Sequence, residues 1–165
     1  IQFGNSQRSF ERLLAYGADV GLIAEVNADP RVVTLPYSSH EVVVFVNSDH
    51  PFFDRECILI HELKDQKVVQ REIGSTTRIA MERALQDHDV PIDVVLEIGS
   101  REGIWKAVEQ GLGIGFVADF EFVPHPNLRA IPIQDADINT QYFLAYLKER
   151  EMSRLIGAFC EVTLT

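Results

Sequence analysis

Residues 71–117 read REIGSTTRIAMERALQDHDVPIDVVLEIGSREGIWKAVEQGLGIGFV. This stretch contains two successive strand-to-helix junctions, Gly74-Ser75-Thr76-Thr77-Arg78 and Gly99-Ser100-Arg101-Glu102. The N-terminus of a helix carries unpaired N–H groups and roughly half a positive charge, so such a junction binds anions readily. The stretch supplies no nucleophile with its base, no metal cluster and no phosphate-transfer loop. It therefore predicts binding rather than catalysis.

Strand-like and helix-like segments alternate along the whole chain. Apolar residues recur at helical spacing over residues 79–85, and Pro91 prevents that helix from continuing. The unbroken run VVVFV at residues 42–46 is typical of a strand that is covered on both faces. The alternation predicts an α/β architecture with largely parallel sheets. Strands are predicted over residues 1–3, 19–24, 31–35, 41–46, 67–70, 92–98, 114–117, 128–133 and 141–147, and helices over residues 6–16, 61–64, 101–110 and 152–162.

Composition limits the kinds of partner that this chain can bind. Its 165 residues can bury a substantial core, and no apolar run approaches the roughly 18 residues of a membrane span. Fifteen basic and 25 acidic residues give a net charge of −10, which repels nucleic-acid backbones. Any contact with DNA is therefore expected from a segment outside these residues. The chain begins at Ile1, within a strand-like run, so we expect it to be a fragment of a longer protein.

Cofactor and metal signatures are weak. The run GLGIG at residues 111–115 follows a predicted helix and precedes a predicted strand, whereas a dinucleotide-binding fingerprint needs the opposite order. Gly111 is expected to end the helix instead. Cys57 and Cys160 read as two reduced thiols of a cytoplasmic protein. We therefore expect no cofactor and no metal site, and the scattered histidines agree with this: His40, His50, His61, His88 and His125.

Several segments together resemble LysR-type transcriptional regulators. They are GNSQRSFERLLAYGADVGLIAE at residues 4–25, VNSDHPF at residues 46–52, GSTTR at residues 74–78 and EIGSREGIWKAVEQGLGIGFV at residues 97–117. Specifically, the chain resembles the C-terminal effector-binding domain of these regulators, which has a type 2 periplasmic-binding-protein fold. The resemblance extends over essentially the whole chain.

This resemblance implies two α/β subdomains with a small-molecule effector in the cleft between them. Subdomain I would comprise residues 1–46 and 142–165, and subdomain II would comprise residues 47–141. The long apolar strands at residues 42–46 and 142–147 would be the crossover segments. In the family a DNA-binding domain, a linker helix and a first strand–helix unit come earlier in the chain, and these are expected to be absent here. Homodimers or homotetramers are the implied assembly.

Eight residues are predicted to contact the effector. Ser75 is the first choice, followed by Thr76 and Thr77, because three consecutive hydroxyl donors follow a strand end. Capping alone is the alternative, since Ser and Thr begin many helices. For Ser100 and Arg101 the alternative is that Ser100 is only an N-cap and Arg101 only a surface arginine, and this fits the sequence as well as a contact with the effector does. The complete set is Asn5, Ser6, Gly74, Ser75, Thr76, Thr77, Ser100 and Arg101.

The resemblance extends to the regulators associated with aminoethylphosphonate catabolism, through residues 4–7, 71–78, 97–102 and 147–159. The effector implied is a phosphonate such as 2-aminoethylphosphonate. A phosphonate dianion suits the GSTTR junction with Arg101 as charge partner, and its ammonium could reach Glu72 or Glu102.

Two other functional classes remain possible from the sequence. The same fold occurs in extracytoplasmic solute-binding proteins, which a signal peptide upstream would identify. An enzyme on this scaffold is the third possibility, because a fold does not determine a function. No acid–base pair or nucleophile stands out, so the sequence predicts a protein that is not an enzyme.

Overall fold

A computed structural model describes residues 1–24 and 29–164. The chain divides into two compact units. Unit 1 comprises Ile1–Ser39 and Gln141–Thr165, and unit 2 comprises His40–Thr140. The helices are α1 (Ser6–Leu14), α2 (Thr76–Asp87), α3 (Arg101–Glu109) and α4 (Arg154–Thr163). The strands are β1 (Val20–Ala24), β2 (Val32–Asn47), β3 (Lys67–Arg71), β4 (Asp93–Ile98), β5 (Gly115–Ala118), β6 (Leu128–Ile131) and β7 (Asn139–Leu147), with 3-10 turns at Ile60–Leu63, Asp119–Glu121 and Lys148–Arg150.

Unit 1 is built around an antiparallel strand pair. Strand β1 pairs with β7, so that Val20 lies opposite Tyr146 and Ala24 opposite Tyr142. Leu13 of α1 is fully buried against this pair. Helix α1 is therefore anchored to the strands by Leu13, with the partly buried Phe10 packed against the same cluster.

Unit 2 has an apolar layer with helices on both faces. The second half of β2 pairs antiparallel with β5 and β6. Because side chains alternate along a strand, Val44 enters one core cluster with Met81 of α2, while Phe45 enters the other with Ile104 of α3. The prediction that residues 42–46 are buried on both faces is confirmed.

Strand β4 lies on the outside of unit 2. It pairs in parallel with β3, and no other described strand pairs with it. Val94, Val95 and Leu96 each keep 40–46% of their surface exposed. Apolar side chains on both faces of β4 therefore meet solvent, which is unusual for a strand of this composition.

Most predicted elements are confirmed to within a few residues, and three expectations are wrong. Residues 1–3 form no strand, and Ile1 and Phe3 are exposed without a neighbouring strand among the described residues. The strands predicted at 31–35 and 41–46 are one strand, β2, because Pro36 and the serines after it adopt extended backbone. The sheets are not largely parallel, since β1–β7, β2–β5 and β2–β6 all pair antiparallel.

Glycines at the α3–β5 turn permit close packing. Gly111 has a φ of 73° and follows the last turn of α3, as predicted for the residue that ends the helix. A Cβ atom on Gly115 would lie 2.4 Å from Cε1 of Phe45, whereas a Cβ atom on Gly99 would meet nothing within 4 Å. Gly115 is therefore required for the contact between β5 and the Phe45 ring.

We expect Gly115→Ala to lower the free energy of unfolding by about 1–3 kcal/mol, because an added methyl group overpacks the core against Phe45. Gly99→Ala is the matched control and should change it by less than about 0.5 kcal/mol. Urea unfolding followed by fluorescence of Trp105, the only tryptophan, measures both. Equal midpoints for the two variants would contradict the packing argument.

Candidate functional site

Parallel pairing brings the two strand-to-helix junctions to the same edge of unit 2. In the β3–β4 pair, Arg71 at the end of β3 lies opposite Ile98 at the end of β4. At this edge each strand is followed by a helix, β3 by α2 and β4 by α3. Ligands of open α/β sheets bind outside the carboxyl ends of the strands. The predicted residues 74–77 and 100–101 therefore lie at the edge where a ligand is expected.

The first junction turns sharply through Gly74. Its φ of 88° lies in the left-handed region, which side chains other than hydrogen adopt only with strain. Ser75 follows in extended backbone at the N-cap position of α2. Its N–H donates to the Glu72 carbonyl at 3.2 Å, and its own carbonyl accepts from the N–H of Ile79 at 3.1 Å. Ser75 thus occupies the capping position with its backbone alone.

The hydroxyl groups of this junction are not used by the protein. Ser75 is 4% exposed and Thr77 is 6% exposed. Neither hydroxyl forms a hydrogen bond with any residue that the structure describes. Every described side-chain nitrogen or oxygen that is sealed from solvent does have a partner, so these two oxygens still reach solvent. Two nearly buried hydroxyls at one helix start are therefore left without a protein partner while still in reach of solvent.

Backbone donors lie beside these hydroxyls. The N–H groups of Thr76, Thr77 and Arg78 have no acceptor among residues 1–24 and 29–164. Unpaired N–H groups are expected in the first turn of a helix, where the helix dipole also favours negative charge. We call Gly74, Ser75, Thr76 and Thr77, with the N–H of Arg78, the α2 cradle. Its backbone N–H groups and hydroxyls can all donate to one anion.

The second junction is capped by its own serine. The Ser100 hydroxyl accepts a hydrogen bond from the N–H of Gly103 at 3.1 Å and lies at an exposed N-cap. Arg101 forms an ion pair with Glu121, and its side chain is 54% exposed. The capping alternative therefore accounts for the Ser100 side chain, and Arg101 already has a carboxylate partner.

Asn5 and Ser6 lie in unit 1 and also have structural partners. The Asn5 side chain caps α1 by accepting from the N–H of Arg8 at 3.0 Å. The Ser6 hydroxyl accepts from the N–H of Ala24 at 2.8 Å, which joins the start of α1 to the end of β1. Of the eight predicted residues, those of the first junction are the ones whose hydroxyls remain available.

Charged residues around the α2 cradle are paired with one another, and sequence reasoning gave most of them no role. Arg71 makes a bidentate pair with Glu72, with N–O distances of 2.8 and 3.0 Å. Arg78 pairs with Glu82 at 2.8 Å and with Glu97 at 2.7 Å. Burial opposes the charged form of Arg78, but the hydrogen bonds that it donates to Glu97 and Glu82 outweigh this effect and raise the pKa of the guanidinium. No spacing rule marks Glu97, because it comes from a different element.

A surface groove of about 460 Å³ runs beside the C-terminal half of α2. It contains none of the eight predicted residues. Its apolar lining residues are Leu85, Val90, Pro91, Ile92 and Val94. Its polar lining residues are Gln70, Glu82, Gln86 and Asp89.

Other site types find little support in the part of the chain that the structure describes. No group of three or more His, Cys, Asp or Glu side chains there could hold a metal ion. Cys57 and Cys160 are free thiols. None of the helices in residues 1–24 and 29–164 is long and apolar enough to cross a bilayer.

Comparison with known proteins agrees with this architecture. The chain is 25% identical over 165 residues to the HTH-type transcriptional activator CmpR of Synechocystis sp., covering 98% of this chain and 54% of that protein. The regulatory domain of Synechocystis PCC6803 CcmR, solved in complex with 2-PG, superposes with a TM-score of 0.86 at 25% identity, covering 97% of this chain and 78% of that one. The effector-binding domain of QuiR in complex with shikimate has the same fold, with a TM-score of 0.89 at 19% identity and coverage of 98% and 77%.

The fold and its strand-end junctions define an α/β domain of the type 2 periplasmic-binding-protein kind. The profile of the LysR substrate binding domain matches residues 1–165, and the chain belongs to that family. It spans about half the length of the curated relatives that it matches, which are transcriptional regulators.

We expect the two serine N-caps to differ in their contribution to stability. Ser100→Ala should lower the free energy of unfolding by about 1 kcal/mol, because it removes a cap hydrogen bond. Ser75→Ala removes a hydroxyl that has no protein partner and should change the same quantity by less than about 0.5 kcal/mol. Urea denaturation of both variants measures the difference. A larger loss for Ser75→Ala would show that its hydroxyl caps α2 in solution.

Proposed function

We propose that this chain is the effector-sensing domain of a LysR-type transcriptional regulator and that a small anion binds in the α2 cradle. The proposal rests on one observation, the pair of nearly buried hydroxyls on Ser75 and Thr77 that bond to no described residue yet still reach solvent. In the free domain these hydroxyls can bond to solvent, and a ligand that takes the place of that solvent would accept their hydrogen bonds.

The cradle favours an oxyanion through dipoles rather than through a free cation. Each arginine nearby already has a carboxylate partner. Arg71 pairs with Glu72, and Arg101 pairs with Glu121. Arg78 pairs with both Glu82 and Glu97. Unpaired N–H groups in the first turn of a helix bind phosphate and carboxylate groups without a side-chain charge. Such a site suits an anion of small net charge better than a highly charged one.

A phosphonate that also carries an ammonium group fits these surroundings. We propose 2-aminoethylphosphonate as the effector, with its phosphonate oxygens on the N–H groups and hydroxyls of residues 75–77. Its ammonium would meet a carboxylate, and Glu72, directly before the turn at Gly74, is the nearest in sequence. The solved complex of CcmR with 2-PG supports a small molecule as the kind of ligand.

The remaining predicted residues take second place in the proposal. Ser100 and Arg101 border the same sheet edge, but their side chains serve α3 and Glu121. Asn5 and Ser6 serve α1 and β1 in unit 1. The expectation that they contact the effector, and that it binds in a cleft between two subdomains, rests on the family resemblance.

Regulation would follow from differential affinity. An effector that binds one conformation of the domain more tightly than another shifts the population toward it. In the proposed regulator, a DNA-binding domain elsewhere in the protein reads this shift within a cytoplasmic homodimer or homotetramer. The net charge of −10 agrees with a domain that leaves DNA contact to another segment.

Titration of the chain with 2-aminoethylphosphonate tests the proposal. At a hundredfold excess over the dissociation constant, binding stabilises the fold by about 2.7 kcal/mol. For a domain of this size the melting temperature should rise by roughly 5–10 °C. Thermal shift and calorimetry measure the effect, with phosphate, sulfate and phosphonoacetaldehyde as comparators.

Two serine variants sharpen the result. Ser75→Ala should strongly reduce the thermal shift without changing the melting temperature of the free domain. Ser153→Ala is the matched control, because Ser153 is also an N-cap residue without a side-chain cap bond, at the start of α4 in unit 1. A shift of undiminished size in Ser75→Ala would refute the cradle, and no shift with any anion would refute the anionic effector.

A further inference from the structure

The three helices that begin with predicted site residues are fixed in different ways at their N-termini. Helix α1 is capped by Asn5 and α3 by Ser100, each through a side-chain hydrogen bond to a backbone N–H. Helix α2 has Ser75 at the same position without such a bond. A missing N-cap bond costs about 1 kcal/mol and leaves the first turn free to fray. Other contacts of the first turn of α2 therefore contribute to holding it in place.

Arg78 lies in that first turn and reaches three separate places. Its Nε donates to Oε1 of Glu82 on the next turn of α2 at 2.8 Å. Its Nη1 donates to the carbonyl of Arg71, the last residue of β3, at 2.9 Å. The same Nη1 donates to Oε2 of Glu97 on β4 at 2.7 Å. One guanidinium therefore joins α2 to the ends of both strands of the parallel pair.

The surroundings of Arg78 favour these hydrogen bonds. Its side chain is 16% exposed, so little solvent competes for its hydrogen bonds. Oε1 of Glu82 also accepts from Nε2 of the buried Gln70 on β3, at 2.9 Å. Hydrogen bonds to charged groups are roughly twice as strong as neutral ones, and the planar fork of arginine loses little freedom when it forms them.

We propose that Arg78 is the positioning residue of the α2 cradle. It holds the first turn against the ends of β3 and β4, and so takes over the mechanical role of the N-cap and leaves the Ser75 hydroxyl free for a ligand. Its side chain acts on the ligand only through the cradle. This inference rests on the function proposed above, because it assumes that the cradle binds an anion.

Substitution of Arg78 should weaken ligand binding more than it weakens the fold. We expect Arg78→Gln to raise the Kd of 2-aminoethylphosphonate by about tenfold, the size of effect that follows the loss of a charge-assisted hydrogen bond. Glu97→Gln should raise it less, because the bonds of Arg78 to Glu82 and to the Arg71 carbonyl remain. Calorimetry well below the melting temperature of each variant measures these constants.

Two comparisons separate positioning from general destabilisation. Arg55→Gln is the matched control, because it removes the same charge and breaks a bidentate pair with Glu62 elsewhere in unit 2. It should leave the Kd unchanged. In the double variant Arg78→Gln with Ser75→Ala, the two effects on the Kd should not add, because both act through the cradle. An equal rise in Arg55→Gln, or full additivity, would overturn the proposal.

A measurement without ligand separates this inference from the proposed function. The amide of Ile79, which donates to the Ser75 carbonyl, reports whether the first turn of α2 stays closed. Hydrogen exchange at Ile79 should be faster in Arg78→Gln than in the parent chain or in Arg55→Gln, while the amides in the second half of α2 keep their rates. If 2-aminoethylphosphonate does not bind the parent chain, the function fails and this result still decides the role of Arg78. Unchanged exchange at Ile79 would overturn it.

Discussion

The parallel pairing of β3 with β4 is the constraint on which the candidate site depends. Two parallel strands in register must end at the same edge, and here Arg71 lies opposite Ile98. Each strand is followed directly by a helix, so the N-termini of α2 and α3 face the same side of unit 2. Covered faces make this arrangement possible, because β2 and β3 each send alternate side chains into two apolar clusters. The two strand-to-helix junctions are the polar segments at the edge of this apolar layer.

Stability and availability for binding are divided between different residues of one helix turn. When a serine caps its own helix, its hydroxyl accepts a hydrogen bond from the protein backbone, as the Ser100 hydroxyl does. A serine that leaves its hydroxyl unbonded leaves the helix start less firmly held, as at Ser75. Placing the anchoring charge on Arg78, three residues later, lets one turn contain both a free hydroxyl and a fixed backbone. Natural binding sites commonly accept such a local cost in stability.

Local sequence signals predicted the elements of unit 2 well and the state of their side chains poorly. Helix α2 ends at Asp87, before Pro91, and α3 ends before Gly111, as expected from the backbone preferences of proline and glycine. The joining of two predicted strands into β2 was missed, because Pro36 is typical of turns and only the pairing partners of β2 favour an extended path. Ser75 and Ser100 look alike as Gly-Ser helix starts, yet one is buried and the other exposed. That difference is set by tertiary packing, which spacing along the chain does not encode.

The outward strand β4 also affects how the isolated chain behaves at high concentration. Val94, Val95 and Leu96 are exposed together on a strand that no described segment pairs with on its outer side. A free strand edge with apolar side chains is a template for cross-strand association between molecules. Asp93 at the start of β4 and the net charge of −10 oppose the approach of like-charged edges. Because salt screens that repulsion, the solubility of purified protein should fall as ionic strength rises.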